Sequence, residues 1–476
     1  MTPLNIGNRR ELFWDDALIE TSRTTAEARL HAPRREEIVL RHDAPWEGDG
    51  CNAHSIIRDG DRYRMYYLAW KMLDEGVTQH AARELVVCYA ESRDGLHWEK
   101  PALGLCAYAG SRDNNILLDK TNCDQHDMPY VFLDENPACP VSERFKMIRK
   151  GPDRFLTCYV SEDGIHFRKG WPLTNQGAFD TQNIALWDPA RNAYLAYIRN
   201  FHERSSAVKT GKTGIRDIRW MTSPDFRTWS EPQLLDFGGA EDYPLYVNAV
   251  QRYARAPHQL IGFPSRYVER EAWTPNYDQL AGAELRRKIC TVHPRYGLST
   301  TDCVFMTSRD GTVWTRYDEA FLRPGIERVN NWVYGDCFVV PALIETPSPL
   351  PHAPAELSLY TFENHWRMIP AELRRYTMRM DGFVSRHAGY GERRLVTRPF
   401  VFEGSSLSLN FSTSARGYVF VTLRSPDRPL ASCELFGDTL DRRVPFDGDL
   451  AALAGREVVM ELALRDADVF AFQFGV

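Results

Sequence analysis

Apolar and polar positions along this chain alternate in short runs, with almost no helical stripe, and the runs recur in a fixed order. The apolar stretches 85–89, 156–160, 218–221 and 304–306 each lead into a turn of one pattern. The first turn is Ser92-Arg93-Asp94-Gly95-Leu96-His97-Trp98; its counterparts begin at Ser161, Ser223 and Ser308 and end on Phe167, Trp229 and Trp314. Asp-Gly is a hairpin signal, because glycine accepts a positive φ and aspartate bonds its own backbone. Another hairpin lies upstream of each turn, leading into the runs 62–67, 145–148, 194–198 and 259–263. One unit thus reads strand, turn, strand, turn, strand, and recurs at roughly 60 to 85 residues. A sheet of this kind cannot bury both faces alone. Copies must stack around an axis, as the blades of a β-propeller do.

A degraded fifth copy is read at 360–366. Near Asp381-Gly382 the turn motif ceases. Beyond it, shorter alternating runs at 407–411, 418–423, 458–464 and 469–474 are separated by Gly and Asp at sandwich-like spacing. The expected fold is therefore all-β: a five-bladed β-propeller over residues 1–383, followed by a β-sandwich over 384–476. One short helix is expected at 278–289, inside a polar insertion, with Asp278 as its N-cap. Asp15 and Asp16 are expected where an N-terminal strand closes the last blade.

Composition narrows the function. The net charge of −6, without basic clusters, argues against nucleic acid or an anionic membrane as partner. No run approaches the roughly 20 apolar residues of a membrane span. Residues 1–20 lack the apolar run of a signal peptide, and the ten cysteines form no C-x-x-C pair. The expectation is a cytoplasmic protein with free thiols. An aromatic share of 12% suits both strands and sugar-binding clefts.

The Ser-x-Asp-Gly-x-x-Trp turns, the five-fold count and the trailing sandwich resemble the five-bladed β-propeller glycoside hydrolases of the invertase and arabinanase type, glycoside hydrolase families 32 and 43. The invertase Asn-Asp-Pro, Arg-Asp-Pro and Glu-Cys signatures are absent, so the chain resembles a divergent relative. The resemblance implies a carbohydrate-cleaving enzyme acting on a small glycoside, with furanosides the default.

In a propeller the innermost strands run side by side along the axis, so the segments before them ring one mouth of the channel. Those segments are 46–54, 124–127, 179–183, 240–244 and 330–334. The first four carry carboxylates, and most add an amide or aromatic residue, which is the composition of a sugar subsite. Glycoside cleavage needs a carboxylic acid and a carboxylate across the scissile bond. Asp180, before the apolar run 184–187, and Glu241, after Gly238-Gly239-Ala240, are the leading pair; a strand cap and a solvated loop acid are their alternatives. Glu47 and Asp49 compete for the first-blade position where the resemblance implies a base or nucleophile. Asp124 and Asp127 compete for the second-blade position, where it implies an acid that fixes the sugar. The resemblance also implies a general acid in the third blade, which favours Asp180.

Substrate contacts are expected from His54, His126, Asp127, Gln182, Asn183, Tyr243, Asn331 and Trp332. No ligand spacing is diagnostic of a metal, and neither metal nor cofactor is expected. The partner is a small-molecule carbohydrate. The rival expectation is a non-catalytic carbohydrate-binding propeller, in which the same acids only hydrogen-bond hydroxyls.

Overall fold

Five antiparallel sheets follow one another along the chain, each begun by a strand at the axis and finished by one at the rim. The structure is a computed structural model that describes residues 3–72, 85–123, 127–202, 214–426 and 429–475, the Asp127 side chain excepted. Blade I comprises Asn52–Asp59, Arg62–Ala69, Val86–Ser92 and Ile116–Leu118. Blade II comprises Asp127–Leu133, Phe145–Lys150, Leu156–Ser161 and Arg168–Thr174. Blade III is built from Ile184–Asp188, Ala193–His202, Ile215–Ser223 and Gln233–Leu234.

Blade IV uses five segments as four strands. Ala256–Gly262 and Ser265–Glu269 both pair with Ser299–Ser308 in continuous register, interrupted at Pro264, which has no N–H to give. Gln251–Tyr253 lies inside them and Thr315–Leu322 outside. Blade V combines Ile344–Thr346, Glu356–Glu363 and Glu372–Met378 with Arg34–Arg41, drawn from the other end of the chain. The ring is thus closed by an N-terminal strand, as expected, although Asp15 and Asp16 lie not beside it but in bends after Arg10–Leu12.

The repeated turns sit at the rim, and their hydrogen bonds explain the motif. In blade II, Asp163 Oδ1 accepts from the backbone N–H of Ile165 and His166, and Ser161 Oγ accepts from Gly164 N–H. Gly164 has φ +75°, and a Cβ there would lie 2.7 Å from the Tyr66 hydroxyl. That hydroxyl crosses from blade I to donate to the Gly164 carbonyl at 3.0 Å. Tyr197 to Gly311 and Tyr360 to Gly95 repeat this clasp between blades III and IV and between V and I. In the third motif Phe226 replaces glycine and still adopts φ +62°; its carbonyl accepts from the Trp171 indole instead.

The other sheet has ten strands and surrounds its own apolar core of Leu407, Leu409, Phe411, Val419, Leu462 and Phe472 among others. Its spine is a pair of 19-residue strands, Ser406–Arg424 and Glu457–Gly475, aligned antiparallel. Each merges two runs that the sequence pattern separates. The register shifts between Thr413 and Tyr418, where Gly417 passes so near Asp466 O that a Cβ would lie 2.3 Å away. A break in alternation is here a bulge within one strand, not a turn between two.

Two further expectations are corrected. Leu4–Gly7, Arg10–Leu12 and Glu27–Leu30 pair with strands of the C-terminal sheet, so the first 30 residues belong with the sandwich and not with residues 31–383. The expected helix at 278–289 is two helices, Pro275–Gln279 and Ala283–Val292, with Asp278 inside the first and the left-handed Gly282 between them. A third helix, Pro294–Leu298, follows.

Asp381 joins the two bodies. It follows the third strand of blade V, where the other blades carry their Asp turn, and it adopts φ +62°. Its carboxylate is enclosed by Arg10 Nε at 2.8 Å, Arg255 Nε at 3.0 Å, the Tyr253 hydroxyl at 2.7 Å and Asn410 Nδ2 at 2.9 Å. Burial pushes its pKa up, but Arg10 and Arg255 outweigh burial and hold it below the ordinary aspartate value.

Candidate active site

The lead-ins to the five innermost strands converge on one cavity of about 340 Å³ at the mouth of the axis. Each blade sends one residue from its lead-in or strand start: Asn52, Met128, Asp180, Tyr246 and Tyr334. Non-glycine residues take left-handed φ beside several of these points, at Ala53, Met128, Phe179, Ala249 and Cys337. Such conformations are costly and persist only where the surroundings impose them. The backbone at the mouth is therefore shaped by its packing.

Asp180 shows how. Gly177 lies so close to the buried Phe179 ring that a Cβ there would be 2.4 Å from it. The N–H groups of Ala178 and Phe179 both donate to the Arg199 carbonyl. Phe179 at φ +53° then turns the chain, and the Asp180 carbonyl accepts from the Tyr246 hydroxyl at 3.0 Å. The carboxylate is 43% exposed, with Oδ1 at 3.4 Å from Nε of the fully buried Arg199. Arg199 packs against Phe201 and Tyr246, with ring centroids 4.1 and 5.2 Å from its guanidinium carbon. Desolvation lowers the Arg199 pKa, and the charge of Asp180 opposes that shift.

Aromatic rings make most of the remaining wall. Trp366 meets Tyr334 at 4.6 Å and Tyr296 at 4.8 Å between centroids, and Tyr246 stands 5.9 Å from both Tyr267 and Tyr334. Trp70, Arg216 and Arg295 complete the polar side. Among the described residues of this wall, Asp180 is the single carboxylate.

The other expected acids lie elsewhere. Glu241 is exposed and outside the cavity wall; its carbonyl accepts from Arg316 at 2.5 Å. Glu47 is buried, accepting from the Tyr67 hydroxyl at 2.5 Å and Lys100 Nζ at 2.7 Å. Burial pushes its pKa up, but His42 at 3.6 Å and Lys100 hold it down to about 2. Asp49 ties two loops by accepting from Met72 N–H and Met368 N–H, each at 2.9 Å. Its pKa is raised by burial, with those two donors opposing. Glu47 and Asp49 are thus buried acids tied to neighbouring strands and loops, while Glu241 is exposed away from the cavity wall.

The expected contacts divide in the same way. His54 and Gln182 line a narrower extension of the channel below the cavity. Gln182 Nε2 donates to the carbonyls of Ala53, His54 and Pro129, stapling blades I and II to III at the axis. His54 faces His42 at 3.0 Å, and burial holds its pKa well below the ordinary value. Asn183 bonds the Thr181 carbonyl and the Arg199 N–H. Tyr243 donates to Asp318 at 2.7 Å, Asn331 clamps the carbonyls of Pro324 and Ile326, and the Trp332 indole donates to Gly325. None of these last four lines the cavity. Asp124, His126 and the Asp127 side chain lie outside the described residues.

The pattern reading missed Tyr246, two residues past the end of its fourth lead-in, and Arg216, at the start of a strand it traced from 218. Trp366 is read in the sequence as the end of a fifth rim turn; it leaves the second strand of blade V at the axis. Arg295 and Tyr296 come from the insertion, whose polar character was the one available signal.

No protein-family model matches the chain. The uncharacterized protein Rv1502 of Mycobacterium tuberculosis is 30% identical over 119 residues, covering 24% of this chain and 32% of that protein. The chain thus spans about a third of the length of the curated relative it matches. Among solved structures, a family 43 arabinoxylan arabinofuranohydrolase from Bacillus subtilis aligns over 96% of this chain and 99% of its own, at 11% identity and TM-score 0.42. A family 32 β-fructofuranosidase from Bombyx mori covers 94% of each chain at 10% identity and TM-score 0.39. A β-1,2-mannobiose phosphorylase from Listeria innocua covers 74% of this chain and 97% of its own, at 11% identity and TM-score 0.44.

Proposed function

We propose that this protein hydrolyses the glycosidic bond of a small glycoside, or of the terminal residue of a short oligosaccharide: Asp180, protonated, gives its proton to the leaving oxygen, and water bonds to the anomeric carbon and releases the proton that restores the acid. The observation that carries this reading is Asp180 itself: a partly exposed carboxylate braced by Arg199 in an aromatic-walled cavity at the propeller mouth. The cavity volume sits at the low end of the roughly 300–1,000 Å³ typical of ligand pockets, which favours one or two sugar rings over a polymer. Furanosides head the candidates through the resemblance carried by the rim turns. All ten cysteines are free, which supports a reducing, cytoplasmic setting. Among the described residues no helix is long and apolar enough to cross a membrane.

The absence of a second carboxylate from the described wall favours a second reading, a carbohydrate-binding propeller without turnover. A panel of nitrophenyl furanosides and pyranosides separates the two. Turnover that Asp180→Asn removes supports the enzyme; binding of sugars without turnover of any glycoside supports the module.

A further inference from the structure

The cavity around Asp180 is short of negative charge. Its described wall holds one carboxylate against two guanidinium groups, Arg216 and Arg295, and Arg199 stands directly behind that carboxylate. Neither Arg216 nor Arg295 forms an ion pair among the described residues, and the Nε of each is buried with no hydrogen-bond partner. Arg266 is paired with Asp302, Arg309 with Glu11 and Asp15, and Arg255 with Asp381, whereas the buried Arg286 and Arg367, which lie outside the cavity wall, also form no ion pair among the described residues.

The two guanidinium groups are also held in place. Arg216 lies 3.9 Å from the Tyr267 centroid and Arg295 5.2 Å from that of Tyr296. The Tyr267 hydroxyl is fixed to Ser299 Oγ at 2.6 Å and also reaches Glu269 Oε2, an acid outside the cavity wall, at 3.4 Å. Burial raises the Tyr267 pKa while Arg216 and Arg295 both pull it down, so both charges gather about this one ring. A desolvated cation without a counter-charge is unfavourable, and a planar guanidinium matches the paired oxygens of a carboxylate or phosphate.

We propose that the sugar taken by this cavity carries an oxyanion, a uronate carboxylate or a phosphate ester, seated against Arg216 and Arg295 while its glycosidic oxygen faces Asp180. This deepens the glycosidase reading and rests on it. The test uses the full chain. Affinity is measured by calorimetry for methyl glucuronide, methyl galacturonide, glucose 6-phosphate, methyl glucoside and inorganic phosphate, in wild type and in Arg216→Gln and Arg295→Gln. Turnover of nitrophenyl glucuronide and glucoside is followed in parallel.

The expected result is that a uronide or the sugar phosphate binds about 10- to 100-fold more tightly than the neutral sugar, a preference that both substitutions abolish. Which anion wins identifies the source of the oxyanion. Equal binding of neutral and anionic sugars in the wild type overturns the proposal and requires no variant to fold. So does a preference that survives both substitutions, with Arg216→Met and Arg295→Met standing in for any Gln variant that misfolds. If neutral glycosides are cleaved through Asp180, only the oxyanion proposal falls. If no sugar of either class binds or reacts, the carbohydrate reading falls with it.

Discussion

At the rim of blades I, II and IV the same few hydrogen bonds recur: aspartate to two backbone N–H groups, serine to the glycine N–H, and the closing aromatic packed over the turn. At the axial ends of all five blades the contributions differ: an asparagine, a methionine, an aspartate and two tyrosines. The rim performs one task repeatedly, holding neighbouring sheets together, and a repeated task tolerates a repeated sequence. The axial ends enclose one cavity, and each blade meets it with its own residue. Repetition in this chain marks structure, and its absence marks the site.

Five substitutions sharpen that contrast. The largest effect is expected at the axis, where Asp180→Asn should reduce turnover by about 100- to 10,000-fold while the melting curve keeps its wild-type shape, since general acid–base assistance is of that size. Near-normal turnover would remove Asp180 from the chemistry.

Next comes the junction, where the rim pattern gives way. Asp381→Asn removes the buried one of the two carboxylates that Arg10 and Arg255 share, Asp441 being the other, and should cost about 1.5–3 kcal/mol in denaturant unfolding. Because the folded-state pKa of Asp381 is depressed, its contribution is complete above the ordinary aspartate range and is lost as pH falls through the folded value. Glu47 behaves likewise over a defined window, from the ordinary 4.5 down to about 2. Wild-type stability should therefore fall steeply below pH 4.5, and less steeply in Glu47→Gln. An unchanged acid limb in that variant would show that the buried Glu47–Lys100 pair adds nothing.

At the rim, Tyr66→Phe should cost about 1–3 kcal/mol, the penalty for a buried Gly164 carbonyl left without its donor. Asp163→Ala should cost about 0.5–2 kcal/mol, as the loss of a cap-type side chain does. Both variants should keep wild-type turnover per folded molecule, and a fall in turnover from either would tie the rim to the site.

Much of the blade pattern was legible because it is local. Asp94, Gly95 and Trp98 satisfy one another within seven residues, and apolar alternation names the strands that follow and precede them. The propeller geometry, once inferred, also placed the mouth: Asn52, Asp180 and Tyr334 fall inside segments chosen from sequence. Which acid would face the cavity was not legible. Asp180, Glu241, Glu47 and Asp49 all precede strands and look alike in one dimension. They separate only when Met72, Met368, Lys100 and Tyr67, brought in from other strands and loops, claim Asp49 and Glu47.

The sequence by itself determined the periodicity and the four rim turns, because hydrogen bonds within a few residues and alternation along a strand need no distant partner. Tertiary structure alone decided where the first 30 residues pair, that Arg34–Arg41 closes blade V, and that Arg216, Arg295 and Trp366 share a wall with Asp180. Sheet edges accept any strand of suitable register, and a cavity is defined by side chains hundreds of residues apart. Neither choice leaves a trace in the local pattern.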